Sequence, residues 1–298
     1  MLEINNLNKS YGKTKVLSNI NLKLEKNKIY GLLGRNGVGK TTLLNIISNQ
    51  IRSDSGNVKY EGNEVYENIE VVENICIIKE SELPTEDKVK KIFKIASMLY
   101  KDWDEEYKDV LIEEFNLNIN KKYHRLSRGN QTIVGLIIGL ASRAPLTLFD
   151  EPSLGLDAAY RYKFYNLLLK DVESNPRTVI LSTHLIDEVT NLFEEIIILK
   201  DQEVYVHDDV TNLMEKSYYL NGRLEHILPI IEDKQIINKE NFGSSSIIAL
   251  FDELSENMKK ELKDNNVEIS NIPLQKLFVY LTEINIENKL RGNNDEEI

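Results

Sequence analysis

One stretch restricts the fold more than any other: Ile29-Tyr30-Gly31-Leu32-Leu33 running into Gly34-Arg35-Asn36-Gly37-Val38-Gly39-Lys40-Thr41-Thr42. The second part has the form G-x-x-x-x-G-K-[ST], a pattern that carries meaning where a strand leads into it and a helix leaves it. The apolar run before it reads as a buried strand, and Thr42 to Ser48 as the helix. Glycines would let backbone N–H groups converge on a phosphate without side-chain obstruction, and the helix would present its positive end to the same charge. Lys40 would bridge the β- and γ-phosphates of a nucleoside triphosphate, and the Thr41 hydroxyl would ligate Mg²⁺. The expected nucleotide-contacting set is Gly34, Arg35, Asn36, Gly37, Val38, Gly39, Lys40, Thr41 and Thr42. Alone, this loop implies a nucleoside triphosphatase or a kinase, with an ordinary glycine-rich turn as the bland alternative.

Further segments narrow that choice. Leu146-Thr147-Leu148-Phe149 is an apolar strand ending in Asp150-Glu151, about a hundred residues past the phosphate loop. A carboxylate at a strand's C-terminal end is where Mg²⁺ needs its second protein contact, so Asp150 is the candidate. Glu151, one residue on, can polarise an attacking water as general base, a role worth typically ~10²–10⁴-fold. An isolated acidic pair ending a strand reads as a solvated turn; its placement after a phosphate loop reverses that. In Leu126-Ser127-Arg128-Gly129-Asn130, Ser127 can cap a helix beginning near Gln131, and that helix N-terminus is an anion site. His184 follows the strand Thr178–Leu181 within Ser182-Thr183-His184.

These four segments, in this order, resemble the ATP-hydrolysing subunit of ABC transporters over about residues 1–215. Ser127 and Gly129 match the family's LSGGQ signature, while Arg128 replaces a glycine and Asn130 the glutamine. The resemblance implies ATP and Mg²⁺ as cofactors. It implies that Ser127 and Gly129 meet the γ-phosphate held by a second ATPase subunit, identical or paralogous, in a head-to-tail dimer. His184 would contact the γ-phosphate and the attacking water, and Tyr11 would stack on adenine. Glu151-Pro152-Ser153-Leu154-Gly155-Leu156-Asp157 would cross the dimer interface, with Asp157 also capping the next helix. One position departs from the pattern. The family has a glutamine where the strand Ile75–Ile78 leads into the helical insertion, and the nearest residue here is Glu80, a candidate contact to Mg²⁺-bound water.

The implied fold is α/β. It has a phosphate-loop (P-loop) NTPase core of RecA-like type, an N-terminal antiparallel β subdomain, an ABC helical subdomain and a small C-terminal α/β appendage. Residues 1–215 are expected to form the ATPase domain, with the helical subdomain at about 85–143. Within it, apolar spacing at Val89, Ile92, Phe93, Ala96, Leu99 and Tyr100 is helical, and further helices are expected over Glu105 to Phe115 and Gln131 to Ala141. Strands at Leu146–Phe149, Thr178–Leu181 and Ile196–Leu199 alternate with helices, which implies a mainly parallel sheet covered on both faces. Residues 216–290 are expected to be an accessory, regulatory domain, with a strand at Ile247–Phe251 and helices over Glu253 to Leu262 and around Leu274, Leu277, Phe278 and Leu281. The acidic tail 291–298 is expected to be disordered.

Composition bounds the function classes. A net charge of -11 argues against non-specific nucleic-acid binding. The single cysteine, Cys76, excludes an internal disulfide and reads as a buried small hydrophobe. The N-terminus lacks a signal-peptide pattern, and no apolar run approaches the ~20 residues that span a bilayer. The expectation is a cytoplasmic protein, peripheral at the inner face of the cell membrane through transmembrane permease subunits. The helical insertion, the Arg-containing signature and the ending Val279-Tyr280-Leu281-Thr282 are most similar to bacterial export and immunity ATPases for peptides and antibiotics, exporters of phenol-soluble modulins among the candidates. A soluble ABC ATPase acting on the ribosome is the rival. Ribosome-acting members carry two cassettes in tandem, and this chain has one.

Overall fold

The structure, a computed structural model, describes residues 1–79, 86–243 and 245–283. It divides into two compact units, Met1–Val210 and Thr211–Ile298. Glu80 and the acidic tail lie outside the described residues.

The first unit is organised by a six-stranded sheet. Its strands run in the order Glu203–Asp209, Glu195–Lys200, Ile29–Gly34, Thr178–Ser182, Leu146–Asp150 and Ile75–Lys79. All neighbours are parallel except Glu203–Asp209, which returns antiparallel along Glu195–Lys200. The three middle strands are buried at every residue. That is why they read as continuous apolar runs rather than alternating ones: a parallel strand covered on both faces has no solvent side. In register, Asp150 lies opposite Ser182 on one neighbour and Lys79 on the other, so these residues share the carboxyl edge of the sheet. Ligands of open α/β sheets bind at that edge.

A second sheet is antiparallel, ordered Thr14–Leu24, Leu2–Tyr11, Ser55–Tyr60 and Asn63–Glu64. Its alternating buried residues, Leu2, Ile4 and Leu7 facing Leu17, Ile20, Leu22 and Leu24, share one core with Leu43, Leu44 and Ile47 of the helix Lys40–Ile47. The helical subdomain comprises Val89–Leu99, Glu105–Glu114 and Arg128–Ala141. The last of these begins three residues before the expected Gln131. Ser127 holds an extended backbone and its side chain accepts the Asn130 amide, so the turn containing Gly129 is already helical.

The second unit is more regular than its sequence suggests. Ser217–Gly222, the helix Leu224–Ile227, Ile236–Phe242, Ser245–Phe251, the helix Glu256–Asp264 and Glu268–Asn271 form a β-α-β-β-α-β unit. Its sheet order is Ile236–Phe242, Ser245–Phe251, Ser217–Gly222, Glu268–Asn271, antiparallel throughout. This is the split β-α-β arrangement of ferredoxin-like domains. One face of the sheet carries the core of Leu220, Ile248, Leu250, Leu262 and Val267. A final helix, Leu274–Thr282, buries Leu274, Leu277 and Leu281 and brings the Tyr280 hydroxyl 3.2 Å from that of Tyr219.

Candidate active site

The phosphate loop joins the buried strand Ile29–Gly34 to the helix Lys40–Ile47. Gly39 occupies the helix N-cap with φ +116°, and a Cβ there would meet the Val16 carbonyl oxygen at 2.8 Å. The hairpin strand Thr14–Leu24 thus closes onto the loop, and both backbone angle and space demand glycine. The helix has no side-chain cap and no acidic residue in its first turn. By contrast, Asp104, Ser127 and Asp157 each cap their own helix. The first amides of Lys40–Ile47 and its positive dipole end are therefore offered to an anion. Lys40 is buried, and its Nζ donates to the Gly34 carbonyl at 2.7 Å. Burial pushes this ammonium below the ordinary lysine pKa, while the charges of Glu151 and Asp150 oppose the shift. Uncapped amides, a cradle that a Cβ would fill and a buried cation fit a nucleotide's phosphates. Thr41 is exposed in the first helical turn and Thr42 half-buried.

Asp150 and Glu151 differ in environment although adjacent. Asp150 ends its strand at 5% exposure, and the Ser182 hydroxyl donates to its Oδ1 at 2.6 Å. Glu151 leaves the strand with φ +51°, a left-handed conformation for a residue with a side chain. Such conformations persist where the surroundings over-determine them, and they cluster at functional sites. Here the Glu151 amide donates to both the Ser182 carbonyl and the Ser182 hydroxyl, each at 3.1 Å. The Glu151 carboxylate meets His184, with Oε2 2.7 Å from Nδ1. The structure thus brings Lys40, Asp150, Glu151 and His184 into one charged neighbourhood at the sheet's carboxyl edge. Among the described residues no cluster of three His, Cys, Asp or Glu side chains could hold a metal. The Thr41 hydroxyl and the Asp150 carboxylate are hard oxygen donors, the type that suits Mg²⁺.

The signature segment packs against the turn that follows Glu151. A Cβ on Gly129 would lie 2.8 Å from the Gly155 carbonyl oxygen, so the two backbones touch. The Thr132 hydroxyl donates to the Leu154 carbonyl at 2.9 Å in the same contact. Ser127 is exposed and caps its own helix, with Asn130 N 3.4 Å from its Oγ. Tyr11 closes the first strand of the antiparallel sheet at 52% exposure, with Lys9 Nζ 5.5 Å over its ring. A cleft of about 710 Å³ borders Glu151 and Pro152 and is lined also by Lys79, Tyr123, Arg128 and Thr132. Cys76 is fully buried, which pushes its thiol pKa up.

Two contributors escaped the sequence. Ser182 lies within Ser182-Thr183-His184, yet its role, bonding both acidic neighbours, follows from strand register, which local spacing does not encode. Thr132 reads as one polar residue on a helix until the Leu154 carbonyl is seen beside it.

A sequence profile of the ABC transporter family matches residues 17–154. The ABC transporter ATP-binding protein YtrB of Bacillus subtilis is 28% identical over 284 residues, 94% of this chain and 97% of that protein. A probable ABC transporter ATP-binding protein of Cyanophora paradoxa is 30% identical over 76% of this chain and 96% of its own length. The lantibiotic transport ATP-binding protein SrtF of Streptococcus pyogenes is 28% identical over 76% of this chain and 95% of its length. Among solved structures, a dimeric ATP-binding cassette in a post-hydrolysis state with ADP and phosphate is 25% identical. It superposes with a TM-score of 0.61 over 70% of this chain and 99% of that one.

Proposed function

Because the chain belongs to the family of ABC transporter ATP-binding proteins, we propose that its ATPase site powers the export of peptides or antimicrobial compounds through a membrane permease. The enzyme is an ATPase, and the residue roles below are our assignment. The β- and γ-phosphates of ATP lie on the first amides of Lys40–Ile47 and against the Lys40 ammonium. Thr41 and Asp150 are the residues that would hold Mg²⁺, which when bound screens phosphate charge and polarises the phosphoryl group. Glu151 takes the proton of the attacking water. His184, protonated on Nδ1, donates to that carboxylate and fixes its direction. The observation that carries this reading is the 2.7 Å contact between His184 Nδ1 and Glu151 Oε2, beside an Asp150 that Ser182 holds in place.

A second ATPase subunit supplies Ser127 and Gly129 to complete each site, in a head-to-tail sandwich that ATP closes and hydrolysis reopens. The dimeric state of a similar cassette supports this arrangement. No helix among the described residues is long and apolar enough to cross a membrane, so permease subunits would provide the path and hold the protein at the inner membrane face. The likeness to a lantibiotic transport protein supports a peptide-like cargo. The second unit, Thr211–Ile298, regulates turnover or steadies the dimer and takes no part in the chemistry.

Affinity capture of the tagged full-length protein from solubilised membranes tests the transport assignment. Recovery of a polytopic membrane protein, with ATP turnover raised by a peptide cargo, is the expected result. Migration with ribosomes and no membrane partner would replace it with the soluble reading.

A further inference from the structure

Arg161, in the first turn of the helix Ala158–Ser174, makes three directed hydrogen bonds. Its Nε and Nη2 fork onto the two carboxylate oxygens of Glu188 at 2.8 and 2.7 Å, and its Nη1 donates to the Leu156 carbonyl at 3.0 Å. The two partners belong to different segments. Leu156 ends the turn that starts at Glu151, and Glu188 lies in the helix Ile186–Val189 that follows His184. A ring is closed by these bonds: from Glu151 along its turn to Leu156, across Arg161 to Glu188, back to His184, and through the 2.7 Å imidazole–carboxylate contact to Glu151.

We propose that Arg161 is a positioning residue that sets the His184–Glu151 geometry for hydrolysis, an inference that rests on the roles assigned to those two residues above. A guanidinium suits the task because its planar fork fixes direction as well as distance, and an ammonium cannot span both partners in that way. The Glu188 carboxylate is held below its ordinary pKa chiefly by the hydrogen bond from Arg161. Stability alone does not account for the arrangement. The Arg161 and Glu188 side chains are 21% and 38% exposed, so even as a bidentate pair they are partly screened by solvent and their contribution to folding is modest. Geometry is where the bond has leverage. Glu151 sits in a strained left-handed conformation that its surroundings must impose. Ser182 fixes the near end of its turn, Thr132 holds Leu154 in the middle, and Arg161 holds the far end.

The test uses the full-length protein with the Arg161→Ala, Arg161→Lys and Glu188→Gln variants. Arg161→Ala should lower kcat for ATP at least tenfold with KM within twofold. Arg161→Lys and Glu188→Gln, which keep size and fold, should fall between it and the parent. In all three, the imidazole nitrogen chemical shifts of His184 should move away from the carboxylate-paired values. An unchanged kcat, an unmoved His184 signal, or a rise in KM that matches the fall in kcat would overturn the proposal. The imidazole signal needs no turnover. Should Glu151→Gln prove to hydrolyse ATP normally, the assigned base fails, and the His184 signal still decides separately whether Arg161 sets its contact.

Discussion

The Ser182 hydroxyl donates to Asp150 Oδ1 at 2.6 Å across two parallel strands in which these residues are direct register partners. The same oxygen accepts the Glu151 amide at 3.1 Å. One buried hydroxyl therefore orients both acidic residues. Replacing it by Ser182→Ala leaves a buried carboxylate one donor short, at a cost of about 1.5–3 kcal/mol for a hydrogen bond to a charged group. The expected outcome is a lower urea midpoint together with reduced kcat, read by denaturation and steady-state turnover of the same preparation. An unaltered kcat would mean that Ser182 serves the fold alone.

Glu151→Gln keeps the shape of the side chain and removes its basicity. ATP binding should persist while turnover falls by about 10²–10⁴-fold. Light scattering with Mg-ATP present should then report a stable dimer once the natural partner subunits are supplied. Binding with normal hydrolysis would eliminate Glu151 as the base.

Gly129→Ala is expected to damage the enzyme for a local reason. The added methyl would meet the Gly155 carbonyl at 2.8 Å, and backbone lies on both sides of the contact. Either the signature helix or the turn after Glu151 must shift. Overpacking of this kind costs typically about 1–3 kcal/mol. Turnover should drop more steeply than thermal stability, because the displaced turn carries Glu151 at its start. Equal activity in the alanine variant would show that the two segments separate without consequence.

Away from the site, Asp171 is almost fully buried and accepts from Arg143 and, at 2.5 Å, from Arg177 Nη2. Arg143 also forks onto Asp104, while Arg177 Nε and Nη1 have no hydrogen-bond partner among the described residues. Asp171→Ala would strand a buried guanidinium, and breaking such a pair costs about 3–5 kcal/mol. Chemical denaturation should show the loss as a lower midpoint with an unchanged slope. A loss under about 1 kcal/mol would mean that water compensates Arg177.

The core of the fold was legible because fully buried strands announce themselves as apolar runs, and because Gly34 to Thr42 names its own context. The second unit was much harder to read. Of its four strands only Ser245–Phe251 resembles an apolar segment. Ile236–Phe242 is an exposed edge strand with Asn238, Lys239, Glu240 and Asn241 in sequence, and Glu268–Asn271 is four residues long. Edges tolerate such residues because only one side is paired, which removes the pattern a reader depends on. The start of the signature helix was misplaced because Gly129 is a poor helix former, and its cost there is offset by the Ser127 cap and the contact with Gly155. At the candidate site, residue types were visible along the chain. The Ser182–Asp150 and Arg161–Glu188 bonds were not, since each joins residues about thirty positions apart through tertiary register.

The bond from Lys40 Nζ to the Gly34 carbonyl gives the phosphate loop an internal competitor. One of the three N–H donors of the ammonium is already taken by its own backbone, so for that donor an arriving nucleotide gains only the margin by which phosphate oxygens are better acceptors than the carbonyl. On the roles proposed above, ATP would place a further anionic group within reach of the same side chain and would win this contest by more than ADP. Discrimination between fresh and spent nucleotide is then set partly by how well the loop satisfies itself, and an ATP-to-ADP affinity ratio that narrows in Lys40→Ala would display it.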